Sequence, residues 1–461
     1  MNTITSEPLL LIIILSMVVI YILLLFSNAS NNKTFSATLE KVFIMLMIFA
    51  IAGVTLSGFD KIHPRALYLE GKKLFSLLLQ IGIYVVGLFI IFSRLRHTLK
   101  DIIFVYSRII LKNPYFCLLM LLLCLSAAWS GTPVYTLKAS MVFLGTTVFC
   151  IYVGKQYKWK ELFELLLFTN QIILVLSVFY ALFRPSIGVT SKGWQGILPH
   201  GNAFGFLMAL TAIMFYLQSV RKPKTKVQSL GFAALALYSL QRSNSGMGKV
   251  LMVLLVGVLV IVRFIKKLPP RLAFACIIFF MALGICLTIL VTQNAKFIIV
   301  DTLGKDLSLT GRMDFWPLVI EHIKENPILG YGYLGFWQSW RGEADPAADI
   351  LVVKTQFKPE HSHNGFLDLT VDLGLVGLGL FFLSFLTNIA LSVKYMKRST
   401  DVELVMPLLL TTWAVMTNIT ETGLMSITYA WMFYVLATVR LCLDSTTESC
   451  NEPPRLQEPL R

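Results

Sequence analysis

The chain has 461 residues, of which 56% are hydrophobic and only 14% are charged, and its formal net charge is +15. A soluble protein of this length needs a larger polar surface, so the composition excludes a soluble globular class and predicts an all-α polytopic membrane protein. The basic residues fall in short connections between apolar runs. That is the positive-inside pattern, and it argues against a nucleic-acid-binding surface.

The predicted elements, in chain order, are apolar runs that approach the roughly 20 residues needed to cross a bilayer. The first run has no basic segment before it and no convincing cleavage site after it, so we interpret it as a retained span rather than a signal peptide. Two runs are short enough to be partial, which leaves twelve or thirteen spans and the side of the N-terminus open. The candidates are 8–26, 42–58, 74–92, 115–130, 139–154, 162–183, 202–219, 229–241, 250–265, 271–292, 365–393, 402–419 and 424–443.

Basic residues concentrate in alternate connections, and these are predicted to face the cytoplasm. The other connections, including the long one at 293–364, then share the outer face. The predicted organisation is N-terminal spans at 1–184, spans with outer polar motifs at 185–292, the long loop at 293–364, C-terminal spans at 365–443 and a cytoplasmic tail at 444–461.

The first polar stretch on the predicted outer face runs from Lys192 to Ala203 and contains two glycines, a proline and Trp194. It predicts a tight turn, with His200 and Asn202 at the head of the next span. Asn202 is interpreted either as the N-cap of that helix, which needs no function, or as part of a site together with His200. An ionisable group at the mouth of a span is often functional.

The second stretch, 241–249, holds Arg242, Lys249 and a Ser-Asn-Ser-Gly turn. Small residues let the backbone approach an anion, and an arginine forms charge-assisted hydrogen bonds with phosphate. The alternative is an ordinary polar hairpin with snorkelling side chains. Because the positive-inside bias disfavours basic residues on this face, the anion site is favoured.

The long loop predicts one helix from its apolar pattern, with Thr310 as the cap and Pro327 and Gly330 at the end. Pro317 fits such a helix if it lies in the first turn. Arg312 is then near the positive end of the helix, where a guanidinium suits a pyrophosphate. The aromatic residues at 331–337 are expected to stack on sugars or to rest at the membrane surface.

The loop closes with His361-Ser362-His363-Asn364, next to an apolar run. Imidazole suits proton transfer near neutral pH, so His363 is a candidate general base. The HxH spacing also suggests zinc, but no third ligand at a metal-site spacing is visible. Most of the seven cysteines lie inside apolar runs and none forms a CxxC pair, which argues against disulfides.

These motifs occur in a fixed order that resembles the O-antigen ligase and Wzy-type polysaccharide polymerase superfamily, most closely its exopolysaccharide polymerase branch. The resemblance covers roughly residues 185 to 400, and the N-terminal third matches only as a string of spans. The motifs are Gly193-Trp194, His200-Gly201-Asn202, Ser243-Asn244-Ser245-Gly246, Thr310-Gly311-Arg312, Asn326-Pro327, His363-Asn364-Gly365 and Gly374-Leu375-Val376-Gly377.

The resemblance implies a GT-C-like helical bundle in the bacterial inner (cytoplasmic) membrane, with a periplasmic active site. The implied donor is an oligosaccharide on undecaprenyl pyrophosphate, and the acceptor is a glycan, either another repeat unit in a polymerase or a lipid A core in a ligase. The implied partners are the lipid bilayer and other polysaccharide export or assembly proteins, with no nucleic acid and no cofactor.

Carried over to this chain, the resemblance makes His363 the general base and Arg312 a pyrophosphate ligand. Family members often carry the arginine of the second motif after its serines, whereas Arg242 precedes Ser243, so Lys249 is an alternative there. The residues expected to shape the substrate site are Trp194, His200, Asn202, His361 and Asn364.

This chemistry agrees with the residues. An acceptor hydroxyl needs a base, and a leaving pyrophosphate needs positive charge. The outer loop holds no DxD motif and the chain shows no nucleotide-binding loop, so a metal-independent, inverting displacement is expected. The competing classes are a transporter or flippase of lipid-linked sugars, for which paired halves with broken spans are missing, and a structural subunit, which leaves His363 and Arg312 unexplained.

Overall fold

The computed structural model describes residues 33–53, 98–293, 311–351, 358–398 and 402–444. The predicted spans 8–26 and 74–92, the predicted cap Thr310 and the tail after Asp444 lie outside these residues. The chain divides into two compact units, Met1–Phe49 and Ala50–Arg461. In the first unit the described residues belong to helix α1, Lys33–Ile51, and everything below concerns the second unit.

The described residues of the second unit are almost entirely helical, with short 3-10 segments at Ser126–Ala128, Pro223–Thr225, Ser339–Ala344 and Val402–Val405. An antiparallel ribbon of two residues per strand interrupts them, with Val189 paired to Trp194. The elements are α2 Thr98–Lys112, α3 Pro114–Leu125, α4 Pro133–Gln156, α5 Trp159–Phe183, α6 Pro185–Gly188, β1 Val189–Thr190, β2 Gly193–Trp194, α7 Gly201–Arg221, α8 Lys226–Arg242, α9 Gly246–Ile265, α10 Pro270–Gln293, α11 Gly311–Glu325, α12 Gly365–Arg398, α13 Met406–Thr417 and α14 Tyr429–Asp444.

Five of the described helices, α4, α5, α7, α9 and α12, are long and apolar enough to cross a membrane. Helices α2 and α3 meet at an angle of 106° and together would make a sixth span. Asn113 lies at this bend because Pro114 disfavours a helical residue before it, and the Asn113 side chain caps α3. The predicted fold class, a polytopic helical membrane protein, is confirmed; the total number of spans stays a prediction.

The centre of the bundle is built from helices that are apolar on every side. The stretch 204–215 of α7, the whole of α13 and residues 429–442 of α14 are buried. A helix that is hydrophobic all round can pack against lipid or against other helices, and here the tertiary structure places these three segments among other helices. The Trp413 indole of α13 anchors this centre by donating a 2.8 Å hydrogen bond to the Phe206 carbonyl of α7.

Helix α12 is broken at Gly374, where φ is +66° and ψ is −171°. The break leaves backbone N–H and C=O groups that a continuous helix would pair internally. The long loop forms hydrogen bonds with these groups. Tyr331 and Gly332 donate their N–H groups to the carbonyls of Val371 and Asp372 at 2.9 and 2.8 Å. In the other direction, N–H groups after the break donate to carbonyls of residues 327 and 328. The Asn-Pro…Gly-Tyr-Gly segment is therefore docked on α12 through its backbone.

The predicted loop helix is confirmed as α11, and it carries a small apolar core with the segment that follows it. Phe315 and Val319 pack with Phe336, and further apolar residues complete the cluster. Pro317 is an interior residue of α11 and lies beyond its first turn, so the position in which a proline fits a helix without cost is not the one it occupies. The core supplies the packing that offsets the hydrogen bond a proline cannot make.

Candidate functional site

His363 and Asn364 lie at the head of α12, in a backbone conformation that the neighbouring side chains maintain. The Asn364 side-chain oxygen accepts hydrogen bonds from the N–H groups of Phe366 and Leu367 at 3.0 and 3.2 Å, which caps the helix. His363 has a φ of +52°, an uncommon left-handed conformation for a residue with a side chain. Its N–H donates to Nδ1 of His361 at 3.1 Å, so the two histidines form one unit.

Glu421 stands opposite His363, in the connection between α13 and α14. Its Oε2 is 3.5 Å from Nδ1 of His363, and its Oε1 accepts a 2.8 Å hydrogen bond from the side chain of Asn202. The two side chains are about a quarter and a sixth exposed (25% and 16%), so water screens the charge of Glu421 only in part. One carboxylate thus joins the first polar stretch to the end of the long loop.

The interpretation of Asn202 as a helix N-cap is wrong. The N-cap of α7 is His200, whose Nδ1 accepts from the N–H of Ala203 at 3.2 Å. Asn202 is the second residue of the helix, and its side chain forms hydrogen bonds with Glu421 and Ser245 instead of capping the helix. His200 takes the cap position because it is the last non-helical residue before α7, with an extended backbone at φ −159°.

The second polar stretch forms the tight turn between α8 and α9, and Ser245 connects it to the same group. The Ser245 hydroxyl donates to the Asn202 side-chain oxygen at 3.1 Å and accepts from the N–H of Gly248 at 3.0 Å, capping α9. Asn244 adopts φ +53° and donates to the carbonyl of Lys192. The turn is therefore tied to both halves of the first stretch.

The basic residues of this turn have different surroundings. Arg242 is exposed, and its guanidinium lies 5.4 Å from the ring centre of the buried Trp194, a cation–π contact. Lys249 is half-buried in the first turn of α9. Neither residue is hydrogen-bonded to the His363–Glu421 pair among the described contacts, so the turn approaches the pair through Ser245 and Asn202.

The loop helix is attached to the histidine segment. The indole of Trp316 donates a 2.8 Å hydrogen bond to the carbonyl of Ser362, the residue before His363. Asp368, buried in the first turn of α12, accepts from the Ser362 N–H at 3.0 Å, and its other oxygen accepts from the Thr422 hydroxyl. Arg312 is one helical turn before Trp316, and its side chain lies outside the described residues.

A cavity of about 310 Å³ adjoins this group. That volume is at the lower end of the range for small-molecule sites. Most of its wall is apolar, and its polar residues include His200, His361, Glu421, Asn418 and Thr422. No group of three or more His, Cys, Asp or Glu side chains that could hold a metal ion occurs in the described part of the chain.

Sequence reasoning missed two acidic residues of this site. Glu421 lies in the four-residue connection, 420–423, between two predicted apolar runs, and Asp368 lies inside an apolar run. Both positions carried a usable signal, because an ionisable residue within or at the mouth of a span is expensive and is retained for a reason. The pairing of Glu421 with Asn202, 219 residues apart, had no local signal.

The fold and the site together define a polytopic helical membrane protein with a polar group of His, Glu, Asn and Ser at the helix ends. Residues 231–382 match the family described as O-antigen ligase (Wzy_C). The predicted resemblance is therefore confirmed, and the matched segment contains the turn at 243–245, α11 and His363. The Trp194–Asn202 stretch precedes it.

Three relatives support the same assignment. The chain is 25% identical over 271 residues to the Exopolysaccharide production protein ExoQ of Rhizobium meliloti, covering 57% of this chain and 61% of that protein. It is 30% identical over 222 residues to a Rickettsia conorii protein named "Putative polysaccharide ligase", covering 45% and 47%. A Rickettsia prowazekii protein of the same printed name is 31% identical over 96 residues, or 21% and 22%. The matches thus span less than two thirds of each relative.

Proposed function

We propose that this protein is a membrane glycosyltransferase of the polysaccharide polymerase type, which transfers an oligosaccharide from undecaprenyl pyrophosphate to a hydroxyl of an acceptor glycan. The observation that carries the proposal is the pairing of His363 with Glu421. Glu421 lines the cavity, and residues 231–382, which include His363, match the O-antigen ligase family. The name of the ExoQ relative favours exopolysaccharide as the product.

His363 acts as the general base. It removes the proton of the acceptor hydroxyl as the oxygen attacks the anomeric carbon of the donor sugar. The new glycosidic bond forms while the bond from that carbon to the pyrophosphate oxygen breaks. The electron pair of the broken bond leaves with the lipid pyrophosphate, and His363 later returns its proton to solvent. A single displacement of this kind inverts the anomeric centre and requires no cofactor.

The leaving pyrophosphate takes up negative charge in the transition state, and preorganised cations lower the barrier for it. We assign this role to Arg312, with Arg242 or Lys249 in support. The tie between Trp316 of α11 and Ser362 supports Arg312, because it attaches the helix that carries Arg312 to the residue beside His363. The hydrogen bond between Ser245 and Asn202 supports a role for Arg242 or Lys249, because it connects the turn beside these residues to the partner of Glu421.

The membrane orientation follows from charge. The chain places basic residues in alternate connections, and the connections that carry Ser245, the long loop and Glu421 lie between them. We therefore assign the site to the periplasmic face of the bacterial inner membrane, where lipid-linked repeat units and the protein's export or assembly partners meet.

The experiment is reconstitution of the full chain in proteoliposomes with a purified undecaprenyl-pyrophosphate-linked repeat unit, followed by separation of the glycans by length. The parental protein should produce a ladder, and His363→Ala should abolish it while membrane insertion is retained. His322→Gln is the matched control, since the described hydrogen bonds of His322 are with Glu325, Asp349 and Tyr331 and none of them is with His363 or Glu421; it should retain the ladder. Full activity of His363→Ala would contradict the general-base role.

A second acceptor separates the alternatives. Transfer to an added lipid A core without a ladder would replace the polymerase by a ligase. Movement of the lipid-linked sugar across the membrane with no new glycosidic bond would overturn the proposal in favour of a transporter. Addition of a chelator should leave the ladder unchanged, and a loss reversed by a divalent ion would contradict metal independence.

A further inference from the structure

The connection that carries Glu421 is held rigidly against the head of α12. The side-chain oxygen of Asn418 accepts hydrogen bonds from the N–H groups of Gly423 and Leu424, both at 2.6 Å, which closes the connection into a turn. The N–H of Gly365, two residues after His363, donates to the carbonyls of Asn418 and Glu421 at 2.8 and 3.2 Å. The backbones of Glu421 and His363 are therefore fixed relative to each other by main-chain bonds.

The carboxylate of Glu421 receives a directed chain of hydrogen bonds from the turn before α9. The Ser245 hydroxyl oxygen accepts a hydrogen bond from the Gly248 N–H, and the hydroxyl donates its own proton to the Asn202 side-chain oxygen, which can only accept. The Asn202 amide group must point its NH₂ at Glu421, because an ionised carboxylate only accepts hydrogen bonds and the other orientation would set two acceptors against each other. The donor and acceptor of each of these hydrogen bonds are therefore assigned, and one oxygen of Glu421 accepts from the Asn202 amide.

The second carboxylate oxygen faces Nδ1 of His363 at 3.5 Å. An ionised carboxylate only accepts hydrogen bonds, so a neutral His363 paired with it carries its proton on Nδ1. Nε2 of this tautomer is unprotonated, and its lone pair can remove a proton. The carboxylate thereby selects both the tautomer and the ring orientation, as carboxylate partners of histidine do elsewhere.

We propose that Glu421 is a positioning residue, which holds His363 in the tautomer protonated on Nδ1 and, through Asn202, ties this base to the Ser245 turn. The inference rests on the proposed general-base role of His363. It adds that the base is prepared by a residue from a different connection, and that the turn carrying Arg242 and Lys249 is kept in register with it.

The test combines kinetics with spectroscopy on the full chain in bilayers. Glu421→Gln and Glu421→Ala should lower kcat by about 10- to 100-fold, while KM for the lipid-linked donor changes less than about threefold, because ordering of the base is lost rather than binding. Glu421→Asp should recover part of the loss, since it keeps the charge. Glu343→Gln, on an exposed acid of the 3-10 segment at 339–344, is the matched control and should keep the parental kcat.

Nitrogen-15 spectra of histidine-labelled protein give a readout that does not depend on activity. At a pH where the ring is neutral, the His363 signals, identified by their loss in His363→Ala, should show the proton on Nδ1. Asn202→Ala should weaken that preference. A parental His363 protonated on Nε2 would overturn the inference.

The two proposals fail in different ways. If His363→Ala keeps full transfer, the proposed general base is wrong. If His363→Ala is inactive and Glu421→Ala keeps the parental kcat, the base stands and the positioning role of Glu421 is wrong.

Discussion

The indole Nε1 of Trp316 donates a 2.8 Å hydrogen bond to the carbonyl oxygen of Ser362, the residue that precedes His363. Ser362 is fully buried, so its carbonyl has no alternative partner in water. This bond is a direct connection between the loop helix α11 and the segment that holds the candidate base.

Trp316→Phe should therefore lower transfer without preventing insertion. Phenylalanine keeps most of the apolar contact but removes the donor, and a buried acceptor left unsatisfied costs about 1–3 kcal/mol. If that cost appears in full in the transition state, kcat in the reconstituted assay should fall by about 5- to 150-fold. Trp340→Phe is the matched control, because Trp340 is half exposed and its ring contact with Tyr135 survives the change. Equal losses in the two variants would contradict a specific role for the Trp316 bond.

Arg312→Lys should impair transfer strongly. A guanidinium can hold a pyrophosphate with two parallel hydrogen bonds, whereas an ammonium is a point charge. The expected sign is a lower kcat/KM for the lipid-linked donor, by about 100-fold if one bidentate contact worth about 3 kcal/mol is lost. Lys324→Arg, at the opposite end of the same helix, should be neutral. Near-parental turnover of Arg312→Lys would argue against contact with the pyrophosphate.

Gly374→Ala should prevent docking of the long loop on α12. A Cβ at Gly374 would lie 2.0 Å from the Ile328 carbonyl oxygen, and φ is +66°, so both space and conformation oppose any side chain. We expect a loss of about 3 kcal/mol or more, seen as a lower melting temperature in detergent or reduced accumulation in the membrane. Gly379→Ala in the same helix has open space around it and should be neutral or slightly stabilising. Similar melting temperatures for the two variants would refute the docking role.

The surface of α11 should lose stability as pH rises. Burial alone would lower the pKa of His322, but hydrogen bonds with Glu325 and Asp349, at 3.1 and 3.0 Å, outweigh it and raise the pKa. Because the pKa of His322 is raised in the folded state, its ion pairs contribute fully to folding stability below the ordinary pKa of 6.5. That contribution disappears as pH rises through the raised pKa.

Both carboxylates are more than half exposed, so screening limits this contribution to about 1 kcal/mol. Hydrogen exchange of residues 311–351, corrected for the intrinsic pH effect, should show faster local opening at pH 9 than at pH 6. His322→Gln should remove the difference. A parental protein with equal protection at both values would contradict the assignment.

Local patterns were sufficient for much of this result. Most of the described helices begin and end within six positions of a predicted apolar run, because a helix in lipid must satisfy its own backbone and therefore needs a long apolar stretch. Helices α1 and α2 depart from the prediction. Helix α1, Lys33–Ile51, begins nine residues before the run at 42–58, and α2, Thr98–Lys112, lies in a connection predicted to be cytoplasmic. Asn202 was one candidate for the cap of α7, but the cap is His200. Both residues suit a helix start, and the sequence does not reveal which one turns the chain.

The sequence by itself determined the class of protein and pointed to the candidate base His363, because composition, hydropathy and ordered motifs are local properties of a chain. It did not reveal the acidic residues Glu421 and Asp368. Only the tertiary structure decided which groups meet. Glu421 reaches Asn202 across 219 residues and His363 across 58, and Trp316 reaches Ser362 across 46. Each contact depends on the packing of whole helices, and on the break at Gly374 that lets the long loop pair with α12, which no single segment encodes.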